Sequence, residues 1–410
     1  MSRRFLVALL AVAGIGLAVR VVATHAFLPT DPLGDNFYFH GQANLLADGH
    51  WFQNPFRYAF EGILEDSAIH PPLYVVVLTA GSLVGLDSFA AHAYLSCLLG
   101  AATVVLVGLL ARRLAGDRAG LLAAGLAAAY PNLWLHDTIV MSESLYLLLI
   151  AAALLAGLAT WAAPTVRNGA LLAAAIGAAA LTRGEALALV PLLLGPALLR
   201  PGSRNWRAAA VAAAVLGLLL VPWSLWNSAR FGEAVLVSIN SEEVLAVANC
   251  PDTYGGPLLG YWTPNCYRGE PTGNEAERGT FWRERGIEYI GDHLGELPKV
   301  AAARVGAAAG VFRPFLNVRF GSYEGRDYGW GLVGLWAYWA LVPVAVAGGV
   351  ALCRRGAALW PLLAPVVMVV AVTAAVYGSI RFRVAAEVPL LALAAVGFDR
   401  LLPGGAGARR

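Results

Sequence analysis

The sequence predicts an all-α, polytopic membrane protein of about ten transmembrane helices, and three observations carry that reading. Hydrophobic residues make up 59% of the 410, whereas an average soluble chain reaches roughly 45–50% with glycine included. Charged residues are 13%, about half the usual share. Apolar stretches near the ~20 residues needed to cross hydrocarbon recur along the chain. So few charges cannot cover the surface of a water-soluble protein of this size, which excludes a soluble enzyme, a disordered tail and a fibrous repeat. The 29 basic and 26 acidic residues leave a net charge of +3, with Lys299 the only lysine, and this balance points to no nucleic-acid partner.

The apolar stretches fall at residues 5–27, 88–111, 119–135, 139–163, 208–226, 330–352, 359–377 and 384–402. Residues 168–200 are longer than a bilayer is thick at ~1.5 Å per helical residue. Arg183-Gly184-Glu185 interrupts them at the middle, so they read as a hairpin of two short helices with that tripeptide at its tip. The first stretch follows Arg3 and Arg4 but lacks a convincing small-x-small site before Asp31, which favours a retained helix over a signal peptide.

Short arginine clusters orient the chain. Arg3 and Arg4, Arg112, Arg113 and Arg118, Arg167, Arg200, Arg204 and Arg207, Arg354 and Arg355, and Arg400, Arg409 and Arg410 place fourteen basic residues in the cytoplasm, accompanied only by Asp117 and Asp399. Residues 71–86 are apolar enough to suggest another span. A crossing there would reverse every later loop, so they read as a juxtamembrane or half-inserted helix. Both termini are then cytoplasmic. The chain divides into a core at residues 1–228 with a first outer loop at 28–87, an outer segment at 229–329, and C-terminal spans with a short tail at 330–410. Cys250 and Cys266 share the outer segment. An oxidising exterior permits a disulfide there, worth about 3 kcal/mol in the chain-entropy model; the alternative is two free thiols.

Ionisable groups at membrane depth are costly, so they are usually functional or paired. They gather on the outer face: Asp31 and Asp35, His70, Asp137 and Glu143, Arg183 and Glu185, and Arg381, Arg383 and Glu387. Each also has a plain reading. Asp31 and Asp35 can cap the amphipathic stretch that follows, His70 can end a loop, and Glu143 can sit at a helix N-terminus. Arg183 can pair with Glu185 or snorkel, and Arg381 and Arg383 can anchor a helix end. Their convergence on one face favours function. There is no GxxxxGK[ST] and no GxGxxG at a strand-to-helix turn, so the energy for a reaction arrives with the substrate. A carboxylate takes a proton from an attacking hydroxyl, and arginines hold a phosphate whose charge grows as it leaves. A lipid-anchored phosphate donor suits this set, and a transferase using one is the reading.

The ordered motifs GDNFYFHGQANLLADG, HPPLY, ARRLAGDRAG, MSESLYLLL, LTRGEALALVPLLL and IRFRVAAEVPLLALAAVG resemble bacterial glycosyltransferase family 39, which is similar to the protein O-mannosyltransferases and aminoarabinose transferases of the GT-C class. The resemblance covers roughly residues 1–230 and 375–402. It implies a GT-C-like bundle and a polyprenyl-phosphate sugar donor, with no other cofactor. Asp35 takes the place of the first-loop catalytic aspartate, Glu143 that of the second outer acid, and Arg183 that of a basic group on the lipid phosphate. Asp35-Asn36 stands where many relatives carry two adjacent acids, which makes a single base a better expectation than a metal-assisted variant, although a divalent metal stays open. Arg381, Arg383 and His70 join Arg183 as expected donor-phosphate ligands. Tyr38, Tyr261 and Trp262 are expected to touch sugar or acceptor, which would be a cell-envelope glycan, lipid or protein. The expected location is the bacterial cytoplasmic membrane with the site facing outward. Two rival readings remain: a transporter or flippase of lipid-linked saccharides, for which no internal repeat is visible, and a non-catalytic assembly protein.

Overall fold

The computed structural model of the protein describes residues 1–30, 32–269 and 271–402, so Asp31, Arg409 and Arg410 lie outside the described residues. Among those described, the chain is helical without a strand; Gln53 and Asp66 form an isolated antiparallel bridge. Five helices are long and apolar enough to cross a bilayer: α1 (Arg3–Phe27), α5 (Phe89–Ala115), α8 (Glu143–Ala162), α11 (Trp206–Phe231) and α17 (Tyr328–Cys353). With the shorter apolar helices between them they form a multi-pass membrane bundle.

The loop from α1 to α5 carries α2 (Asp35–Ala47), α3 (Pro55–Glu61) and α4 (Leu73–Ser82). The ten residues of α4 rise about 15 Å, half the hydrocarbon thickness, as expected for a juxtamembrane helix. Tyr74, Val75 and Leu78 of α4 pack on Phe39 and Ala43 of α2 in a small buried core. The Leu73 N–H donates to the Leu181 carbonyl, which ties the start of α4 to the 168–200 hairpin.

The crossing expected at 119–135 is broken into α6 (Asp117–Ala129) and α7 (Pro131–Asp137). Pro131 is the cause: proline pushes the preceding residue out of helical backbone, and Tyr130 is extended at φ −74°, ψ 114°. The next helix, α8, accordingly starts at Glu143 rather than near Ile139. The hairpin has the expected form. Its first leg is α9 (Val166–Ala180), and its second is an irregular run of tight and wide turns ending in α10 (Gly195–Leu199). Pro191 and Pro196 remove two ladder donors from that leg.

Residues 229–329 add α12 (Asn240–Val247), α13 (Pro251–Tyr254), α14 (Glu275–Asp292), α15 (Leu297–Ala308) and α16 (Pro314–Tyr323). The Cys250–Cys266 disulfide is formed. After α17 the chain closes with α18 (Trp360–Ala375) and α19 (Val384–Leu401), and α19 packs on α17 and α6. One continuous apolar core runs through α1, α5, α6, α8, α9, α11, α17, α18 and α19.

Two polar contacts lock this frame. Arg20 of α1 donates to Asp137 at the end of α7 at 2.7 Å, both wholly buried. Glu275 at the start of α14 accepts from the Ser67 hydroxyl at 2.9 Å and the Ala68 N–H at 2.5 Å. The N–H groups of Ile239 and Asn240 donate to the carbonyls of Ala68 and Ile69. The segment at residues 229–329 thereby grips the chain just before His70.

Candidate functional site

The site forms where five separated parts of the chain meet at one end of the bundle. Gly34, at φ +58°, occupies left-handed backbone that suits glycine and starts α2 with Asp35 at its head. Glu143 stands at the head of α8, with Ser142 before it. Arg183 is the extended residue at the hairpin tip. Arg381 lies in the turn ahead of α19, and Glu324-Gly325-Arg326 form the turn after α16.

Arg381 is the hub. Its Nε donates to Glu143 Oε1, its Nη1 to Glu324 Oε1 and its Nη2 to Asp35 Oδ2, each at 2.7 Å. Arg183 Nη1 lies 3.0 Å from the same Glu143 oxygen, and its Nε donates to Glu185 at 2.6 Å. Arg326 Nη1 lies 3.1 Å from Glu324 Oε2, and its Nη2 lies 3.9 Å from Glu143. His70 Nε2 is 3.3 Å from Asp35 Oδ1. Each carboxylate thus has an arginine partner, the condition under which buried charge is tolerated.

Dehydration in the site is the largest single influence on the Asp35 carboxyl and raises its pKa. Arg381 and His70 outweigh it and hold the group well below the usual carboxylate range. Asp35 is therefore ionised throughout the neutral range.

These residues line a cavity of about 1010 Å³. Asp35, His70, Arg183, Glu185, Glu324, Arg326 and Arg381 occupy its charged wall. Leu187 of the hairpin, Ala371, Val372 and Ala375 of α18 and Val376 just after it form an apolar wall toward the bundle, while Asn240, Ser241, Trp262, Thr263 and Tyr267 come from the segment at residues 229–329. An anionic head on an apolar tail matches this division. Among the described residues there is no group of three or more His, Cys, Asp or Glu set to hold a metal ion.

The expected residues separate into two groups. Asp35, His70, Arg183, Arg381 and Trp262 line the cavity, and Glu143 is completely buried directly behind it, bound to Arg381. Arg383, expected beside Arg381, turns away: its Nε pairs with Glu387 at 2.7 Å and its guanidinium lies 3.6 Å from the Tyr338 ring centroid. Tyr38 stands behind the site, its ring 4.8 Å from that of His70 and its hydroxyl bonded to Ser67. Tyr261 stacks on Phe320 and donates to the Arg313 carbonyl. Asp137 belongs to Arg20 and not to the site. Glu324 and Arg326 escaped the sequence reading. The clustered charges of YEGRD, residues 323–327, next to the apolar run of α17 were the available signal.

Residues 69–226 match the model of the dolichyl-phosphate-mannose-protein mannosyltransferase family. No curated protein sequence matches the chain. Among solved structures, the fold is similar to that of ArnT from Cupriavidus metallidurans bound to undecaprenyl phosphate, at 17% identity and a TM-score of 0.58, over 99% of this chain and 62% of that one. It is also similar to the oligosaccharyltransferase AglB from Archaeoglobus fulgidus in complex with an inhibitory peptide and a dolichol-phosphate, at 14% identity and a TM-score of 0.56, over 97% of this chain and 50% of that one. The same archaeal enzyme tethered to an acceptor peptide matches at 15% identity and a TM-score of 0.56. The chain thus spans between half and about three fifths of the length of these structures. It has the fold of the GT-C glycosyltransferases.

Proposed function

We propose that the protein is a membrane glycosyltransferase that moves a hexosyl or pentosyl group from a polyprenyl-phosphate donor to an acceptor hydroxyl outside the cytoplasm. The observation that carries this reading is the Arg381 guanidinium, bound at 2.7 Å to each of three carboxylates at the junction of a charged and an apolar cavity wall. The likeness to structures bound to undecaprenyl phosphate and dolichol-phosphate supports the choice of donor.

In this reaction the anomeric C–O bond to phosphate breaks, the acceptor oxygen bonds to the anomeric carbon, and the acceptor proton passes to Asp35. Sugar transfer proceeds through an oxocarbenium-like transition state. The acceptor hydroxyl is acidified only as its oxygen bonds to that centre, so a weak, fully ionised base is adequate. Arg183 receives the negative charge that develops on the departing lipid phosphate, and its planar fork suits phosphate oxygens. His70 and Glu143 hold Asp35 and Arg381 in register. Arg381 supplies positive charge at the centre of the carboxylates, the place a divalent ion would take, which supports a metal-independent reaction. Trp262, Thr263 and Tyr267 face the acceptor.

The arginine clusters support the orientation. Arg112, Asp117, Arg118 and Asp399 interact at the opposite ends of α5, α6 and α19 from the site, so a cytoplasmic arginine face leaves the cavity outside.

The test is purified protein with a panel of radiolabelled polyprenyl-phosphate sugars and cell-envelope acceptors, with and without a chelator. Sugar transfer unaffected by chelation is expected. Lipid carried across a vesicle membrane with its sugar bond intact would establish the transporter reading instead.

A further inference from the structure

Glu324 and Arg326 form an uneven pair on one short turn. Gly325 between them adopts φ +92°, and an added Cβ there would come within 3.1 Å of Pro29. The turn is pinned where Asn36 Nδ2 donates to the Glu324 carbonyl at 2.7 Å. The two side chains differ in their surroundings. Arg326 is 6% exposed and Glu324 is 25% exposed, so the carboxylate is the freer partner.

Arg381 has Nε, Nη1 and Nη2 all engaged by carboxylates, and Arg183 has two nitrogens engaged. Arg326 faces the same cavity, yet its Nε and Nη2 have no hydrogen-bond partner. Guanidinium N–H groups left unpaired in a buried place are costly. Glu324, meanwhile, stands between the two guanidiniums: its Oε1 accepts from Arg381 Nη1 at 2.7 Å, while its Oε2 lies 3.1 Å from Arg326 Nη1 as an ion pair without a hydrogen bond, a place a phosphate with more oxygens would fill better.

We propose that Glu324 is a built-in occupant of an anion subsite, displaced when the phosphate of the donor enters and is received by Arg326 and Arg381 beside Arg183. This rests on the donor reading given above. The exchange is one anion for another: the phosphate takes over the Nη1 groups of Arg381 and Arg326, satisfies Arg326 Nη2, and releases Glu324 toward the open cavity. A competing tethered anion lowers the apparent affinity for donor by the fraction of time it holds the arginines. It also keeps the charges paired while the site waits.

The experiment is binding of undecaprenyl phosphate and of uncharged undecaprenol to the full-length protein in nanodiscs, for wild type, Glu324→Gln, Arg326→Leu and Arg326→Lys. Wild type should prefer the phosphate. Glu324→Gln should bind it about 5-fold or more tighter, because the competing charge is gone. Arg326→Leu should bind about 10-fold or more weaker, with Arg326→Lys between, as expected for a lost charged hydrogen bond. Unchanged or weaker binding in Glu324→Gln overturns the proposal whatever Arg326→Leu does, and so does unchanged binding in a folded Arg326→Leu. If wild type does not discriminate phosphate from alcohol, the lipid-phosphate donor reading fails first, and this proposal with it.

Discussion

Arg20 and Asp137, 117 positions apart, form a 2.7 Å ion pair sealed inside the bundle. Gly100 of α5 passes directly over it, and a Cβ there would collide with the Asp137 carboxylate and Arg20 Nε. Breaking a buried pair strands a charge and costs about 3–5 kcal/mol, whereas replacing both partners by apolar groups is often neutral. Gly100→Ala and Arg20→Met are therefore expected to lower thermal stability in detergent sharply. The double variant Arg20→Met/Asp137→Leu should recover most of the loss. Equal losses in single and double variants would show that the pair is not the lock.

Arg381→Gly should abolish transfer, a loss of at least about 100-fold for an electrostatic centre of this kind. It leaves a hole the size of a guanidinium among three carboxylates. Added guanidinium should restore part of the activity, and methylammonium, which lacks the planar fork, should not. Rescue by neither would argue that Arg381 shapes the fold rather than the chemistry.

Asp35→Asn preserves size, and since the N-cap of α2 is Gly34 with no side-chain capping bond, the helix start is left alone while the proton acceptor is lost. Transfer should fall by about 10²–10⁴-fold with donor binding nearly intact. Because Arg381 and His70 hold the Asp35 carboxyl well below the usual range, wild-type activity should not fall between pH 7 and about pH 5 through this group. A full-rate Asp35→Asn protein would shift the base to another carboxylate.

Glu275 gives a pH dependence of opposite origin. Burial pushes its carboxyl up to about 7, against smaller opposing hydrogen bonds from Ala68 and Ser67 and with Glu243 and Glu65 adding to the rise. The unfolded group titrates near about 4.3. In acid both states are protonated. As pH rises toward 7 the unfolded chain ionises first, so this group costs the fold about 1.4 kcal/mol per unit across that window and no more above it. Melting temperature should decline from pH 5 to 7 more in wild type than in Glu275→Gln. Parallel curves would place the titration elsewhere.

Much of this was legible in the sequence because it is one-dimensional. Apolar runs mark the spans, Arg183-Gly184-Glu185 marks the hairpin tip, and two cysteines in one outer segment mark the disulfide. Asp35, Arg183 and Arg381 stood out as charges beside apolar helices. The losses are three-dimensional. Nothing in IRFRVAAE distinguishes Arg381, which enters the cavity, from Arg383, which finds Glu387 one helical turn on. Tyr38 and Tyr261 are aromatic residues whose neighbours, His70 and Phe320, are remote in sequence. Glu324 and Arg326 were hidden in a polar segment where charges are common. The break at Tyr130-Pro131 was readable from the proline.

The order in which the polypeptide emerges during synthesis gives Arg381 a further role. Asp35, Glu143 and Glu324 all precede it, by up to 346 positions; Arg183 and Arg326, which also precede it, pair with Glu143 and Glu324, but among the described residues Arg381 is the arginine that reaches Asp35 and joins all three. A chain that has emerged only as far as residue 380 therefore holds all three carboxylates but not the guanidinium that joins them.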